Sequence, residues 1–117
     1  MSWELFERGQ RPGSARIWVN RQPGRGRVTR VIFNWRALEI AGLTVGERCS
    51  WLVDQDRRIV AIAPGTSEGW KISAATGGGS VSAAIPRSVL GAVPSGSYPA
   101  VRYSHEGSVA VGFEVAQ

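Results

Sequence analysis

The sequence holds one cysteine, one histidine, one lysine and one methionine in 117 residues. A single Cys49 rules out an intrachain disulfide. It lies between Arg48 and Ser50 in an apolar, strand-like stretch. That setting predicts a buried structural thiol, since free cysteine is among the most buried residue types. Cys49 and His105 together fall short of the ligand set of an ordinary zinc site. No run approaches the ~18 apolar residues that a membrane-crossing helix needs, so no membrane partner is expected. The opening residues MSWELFERGQRPG lack the charged-then-apolar layout of a signal peptide, and a cytoplasmic location is expected. Catalytic patterns are also lacking. Asp54, Asp56, His105 and Glu106 fall at predicted hairpin tips, with no nucleophile–base–acid spacing. Gly77-Gly78-Gly79 is not followed by the Lys-Ser/Thr of a phosphate loop. The chain therefore reads as a non-enzymatic protein, and no cofactor and no metal is expected.

What is present fits an ordinary globular protein, with 43% hydrophobic and 20% charged residues. The length predicts a single domain spanning 1–117 with a real but small core. The formal net charge of +5 is unevenly spread. Residues 1–58 carry eleven Arg against six acidic residues, whereas 59–117 carry three basic and three acidic ones. Thirteen of the fourteen basic residues are Arg, the better side chain for bidentate phosphate contact.

The chain also states one passage twice. Val28 to Pro64 and Val81 to Phe113 share the same order of apolar strand, short capped helix, Gly-centred punctuation and two strands across a charged turn. Each has a further leading strand, Arg16–Asn20 and Trp70–Ala74, so repeat 1 spans about 14–64 and repeat 2 about 69–115. A unit of this kind used twice buries the apolar face of one copy against the other. In repeat 1, Ala15, Ile17 and Val19 alternate with Arg16, Trp18 and Asn20, and Thr29, Val31 and Phe33 alternate with Val28, Arg30 and Ile32. Asn34 is a predicted helix N-cap and Gly42 a predicted C′ residue. Strands are expected at Arg48–Val53 and Arg58–Ala63. In repeat 2, Thr76 to Ser80 is the expected hairpin turn, and Val81, Ala83 and Ile85 alternate in the next strand. Pro86 and Gly91 bracket a single turn of helix. Tyr98–Tyr103 and Ser108–Phe113 are the expected last strands. With an offset of 52, Trp18 falls on Trp70 and Leu38 on Leu90; with an offset of 50, Gly46 falls on Gly96 and Ile59 on Val109. The expected fold is mainly β: a small barrel from two ββαββ repeats with one short helix each.

The pieces Ile32-Phe33-Asn34-Trp35-Arg36, Leu43 to Glu47 and Arg48 to Pro64 resemble the swapped-hairpin module of the AbrB/SpoVT/MazE type. Ile85-Pro86-Arg87 and Gly96-Ser97 are the counterparts in repeat 2. The resemblance implies a cradle-loop, double-psi-type barrel and a link to DNA contact at the helix start, which adds Arg36, with Arg87 as its nearest equivalent. Members of this kind usually carry one copy per chain and close the barrel as a dimer, whereas this sequence holds both copies. The long acidic tail of MazE-like antitoxins is not matched, so an antitoxin role is disfavoured.

The feature that stands out from the scaffold is the basic hairpin. Arg16, Arg21, Arg25, Arg27 and Arg30 lie within fifteen residues with no acidic residue among them. Such a run supplies the phosphate attraction that dominates nucleic-acid affinity, and a two-stranded ribbon is narrow enough for a major groove. Trp18 shares a strand face with Arg16 and offers a ring for base stacking, an option Trp70 shares. The expected function is nucleic-acid binding, DNA more than RNA, by a transcription regulator or accessory factor. The alternative is a structural or inhibitory protein that meets a protein partner through the same basic surface; the nearly neutral repeat 2 is the expected structural partner or homo-oligomer face.

Overall fold

A computed structural model describes residues 14–21, 29–82 and 93–115. The elements run β1 (Arg16–Arg21), β2 (Thr29–Asn34), α1 (Trp35–Ile40), β3 (Arg48–Asp54), β4 (Ile59–Pro64), β5 (Trp70–Lys71), β6 (Ser73–Ala75), β7 (Gly78–Ser82), β8 (Gly96–Pro99), β9 (Val101–His105) and β10 (Ser108–Glu114). They form two antiparallel sheets of five strands. Sheet I has the order β6-β7-β2-β1-β8, and sheet II the order β5-β3-β4-β10-β9.

The two sheets share their edges. β5 and β6 are one chain segment turning at Ile72, and β8 and β9 are one segment turning at Ala100. Both corners stay hydrogen-bonded. Ile72 N–H donates to Glu47 O at 2.9 Å, Gly46 N–H donates to Ile72 O at 2.8 Å, and Ala100 N–H donates to Ala15 O at 3.1 Å. The corners therefore link the two sheets into a ring, in which β5, β6, β8 and β9 each have one paired strand neighbour among the described residues. Exchanging β1 with β5–β6, β2 with β7, β3 with β8–β9 and β4 with β10 reproduces every neighbour pair in that ring. Four pairs join the two halves of the chain: β1 with β8 and β3 with β5, which exchange with each other, and β2 with β7 and β4 with β10, which map onto themselves.

Alternation builds the core as expected. Ile17, Val19, Val31 and Phe33 turn inward from sheet I, while Val60, Ile62, Val111 and Phe113 turn inward from sheet II. Phe33 and Phe113 are the largest fully buried side chains. Each contributes on the order of 1.5–3 kcal/mol by leaving water. Phe33 packs on Trp51 with ring centroids 6.3 Å apart, and Phe113 packs on Tyr98 at 4.7 Å. Trp51 Nε1–H donates to Ser82 O at 3.4 Å and so ties the two sheets.

A six-residue helix is marginal on its own. Burial of Ala37 and Leu38 holds α1, together with the Asn34 cap, whose Oδ1 accepts from Ala37 N–H at 2.9 Å. Gly42 follows the helix at φ 65°, as its expected C′ role requires.

Several sequence expectations need correction. Trp70–Ala74 is not one strand: it divides at the buried corner residue Ile72. Tyr98–Tyr103 likewise divides at Ala100, and its first part begins earlier, at Gly96. The turn at Thr76 to Ser80 shrinks to Thr76-Gly77, and Gly78, Gly79 and Ser80 belong to β7. The cause is close backbone approach. A Cβ on Gly78 would lie 1.9 Å from the Phe33 carbonyl oxygen, so this strand position accepts only glycine. β7 ends at Ser82. Ala83, Ile85 and the predicted second helix between Pro86 and Leu90 lie outside the described residues.

Candidate nucleic-acid interface

β1 and β2 pair with Trp18 opposite Ile32, Asn20 opposite Arg30 and Arg21 opposite Thr29. Directly opposed residues point to the same face of an antiparallel sheet. Because Ile17 and Val19 are buried, Trp18 and Asn20 lie on the outer face with Arg30. Trp18 is 40% exposed, a high value for a large ring in mid-strand. On its other side β8 places Ser97 opposite Trp18 and Pro99 opposite Arg16. β7 places Ser82 opposite Arg30. The ring of Trp18 thus stands between the short, exposed Ser97 and the half-buried Ile32, with Arg30 on the diagonal, a spacing of roughly 7–8 Å between such residues.

Charge is segregated by sheet. The strands of sheet I contain Arg16, Arg21 and Arg30 and no acidic residue. Those of sheet II mix Arg48, Lys71 and Arg102 with Asp54 and Glu114. Along the sequence, residues 8–38 carry eight Arg and no acidic residue. Among the described residues, His105 Nε2 lies 3.7 Å from Glu106 Oε2, in a hairpin of sheet II. Within that same set neither Arg16 nor Arg30 is paired with a carboxylate, so no described acid offsets their charge on the sheet I face.

The candidate residues are only partly brought together. Arg16, Trp18 and Arg30 share the outer face of sheet I, Arg16 being half-buried and Arg30 exposed. Arg21 ends β1 at the head of the hairpin. Arg25 and Arg27 lie outside the described residues, as does Arg87. Arg36 is exposed on α1, three residues from Glu39 and beside Ser14 and Ala15, and so belongs to the helix rather than to the sheet face. Trp70, 38% exposed, lies on the edge strand of sheet II. Asn20 joins the site through Arg30, and alternation alone already puts it on the Trp18 face. Ser97 and Ser82 join through β1–β8 and β2–β7, pairings between distant parts of the chain that no local pattern signals.

The outer face of sheet II differs in character. Ile59, Ala61, Ala63 and Ala110 are buried there, with Leu52 and Tyr103 packed on them. A cavity of about 390 Å³ opens over this cluster, bordered by Asp54, Arg57 and His105. Burial and the nearby Glu114 raise the Tyr103 phenol pKa, partly offset by Arg57. The surface is apolar with charges of both signs at its border, a poor match for a polyanion. Cys49 is fully buried, and burial pushes its thiol up to about 11. It is a structural residue and not an activated nucleophile. Among the described residues no cluster of His, Cys, Asp or Glu could hold a metal ion.

Comparison with protein-family models, curated proteins and solved structures gives no match for the chain.

Proposed function

We propose that this protein binds nucleic acid through the outer face of sheet I and the β1–β2 hairpin. One observation carries the reading: the strands of the sheet that exposes Trp18 carry Arg and no acidic residue, while those of the other sheet mix both signs. A polyanion gains from each Arg that neutralises a phosphate, by releasing condensed counterions. Arg16 and Arg30 frame the sheet face, and Arg21, Arg25 and Arg27 add charge along the hairpin sequence. The resemblance to the AbrB/SpoVT/MazE module points the same way through Arg36, and suggests a cytoplasmic regulator or accessory factor acting on DNA.

A salt titration tests the reading. The logarithm of affinity falls linearly with the logarithm of salt, with a slope of several units. Replacing Arg25 and Arg27 together by Ala reduces that slope by about two, roughly one for each phosphate-binding Arg removed. Absence of any binding at about 50 mM salt refutes it, because even non-specific binders register there.

A further inference from the structure

The outer face of sheet I has a shape as well as a charge. Most of its exposed residues are short: Ser73, Ser82, Ser97 and Pro99. Trp18 rises among them, 40% exposed in the middle of β1, with Ser97 on one side and the half-buried Ile32 on the other. Burying this ring against the core would gain free energy, yet its strand position directs it to water while Ile17 and Val19 on either side fill the interior. A duplex offers a protein only base edges and backbone, because its base faces are stacked on one another. An exposed indole face finds a matching surface only on an unstacked base. The polar groups around it suit the same ligand. Arg30 lies diagonal to Trp18 and can hold a neighbouring phosphate, and Asn20, opposite Arg30, can meet a base edge or sugar.

We infer that the outer face of sheet I is a single-strand platform, on which one base of an unpaired nucleic-acid strand stacks on Trp18 while Arg16 and Arg30 hold the flanking phosphates. This rests on the nucleic-acid reading above and narrows it to a strand form. Sequence-tolerant single-strand binders combine a basic surface with aromatic rings on which bases stack, and this face supplies one such ring beside Arg residues with no acid in its strands.

Fluorescence anisotropy with a labelled oligothymidine of about 15 nucleotides, and with a duplex of the same length, tests the inference. The wild-type chain is expected to prefer the single strand. Trp18→Ala is expected to weaken single-strand binding about tenfold and to change duplex binding less than about twofold, while Trp18→Phe keeps most of the single-strand affinity. Equal loss on both forms, or no loss with Trp18→Ala, overturns the platform. If Arg30→Ala then still weakens binding, the nucleic-acid reading survives without it. If the wild-type chain binds neither form at low salt, both fall together. Circular dichroism of the two Trp18 variants, with Trp18→Phe as the conservative partner, separates lost stacking from lost folding.

Discussion

The Asn34 side chain accepts the backbone N–H of Arg16 at 3.1 Å with the same oxygen that caps α1. Its Nδ2–H donates to Ser14 O at 3.2 Å. One buried amide thus joins the entry of β1, the end of β2 and the start of the helix. Replacing Asn34 by Ala leaves Ala37 N–H and Arg16 N–H without a partner. We expect Asn34→Ala to destabilise the fold by about 2–3 kcal/mol, above the usual loss of a cap, read as a lower urea midpoint. Asn34→Asp, which keeps the acceptor and loses the donor to Ser14, costs less.

Gly78 is the second fixed point. A Cβ at this position would approach the Phe33 carbonyl oxygen to 1.9 Å, which leaves no side chain an easy place, and β2 with β7 is one of the pairings that join the two halves. Gly78→Ala is expected to cost about 3 kcal/mol through forced separation of these strands, seen as a fall in Tm.

Cys49 gives a pH prediction with a definite sign. Its thiol goes from an ordinary value of 9.0 to about 11 because burial disfavours the thiolate. The folded state then holds the proton more tightly than the unfolded state. The contribution to stability is whole below pH 9.0 and is lost as pH rises through about 11. Under mildly alkaline conditions, thiol reagents should label the native protein only as fast as it unfolds, and the denatured protein at once. Rapid labelling of the native protein contradicts a buried thiol.

Charge placement on the two sheets gives an isosteric test. Asn20→Asp introduces a carboxylate opposite Arg30, and Gln55→Glu makes the same charge change in the exposed β3–β4 turn of sheet II. Asn20→Asp should weaken nucleic-acid binding about fivefold or more, with stability within about 0.5 kcal/mol of wild type. Gln55→Glu should change binding less than about twofold. Equal effects would show that net charge alone governs binding.

The parts of this fold that local chemistry controls are legible in the sequence. Ile17 and Val19 against Trp18 and Asn20, the Asn34 cap and the Gly42 stop each follow from neighbours in the chain. The corners at Ile72 and Ala100 are not, because a period-2 pattern continues across a point where a strand changes sheets. The triple glycine reads as a turn, since only the position of Phe33 reveals why Gly78 must lie in a strand. The site is half legible. The Arg run and Trp18 stand out locally, whereas Ser97 reaches Trp18 through a pairing with β8 that joins distant parts of the chain. The charge contrast between the sheets emerges only once strands are assigned to them.

Whether sheet I is the bound surface can be read residue by residue, by amide chemical-shift titration with an oligothymidine. The largest changes are expected at Trp18, Asn20 and Arg30 and in the Trp18 indole N–H, with β4 and β10 unmoved. Changes concentrated on sheet II around Ala61 and Tyr103, or none at low salt, would show that sheet I does not hold the strand.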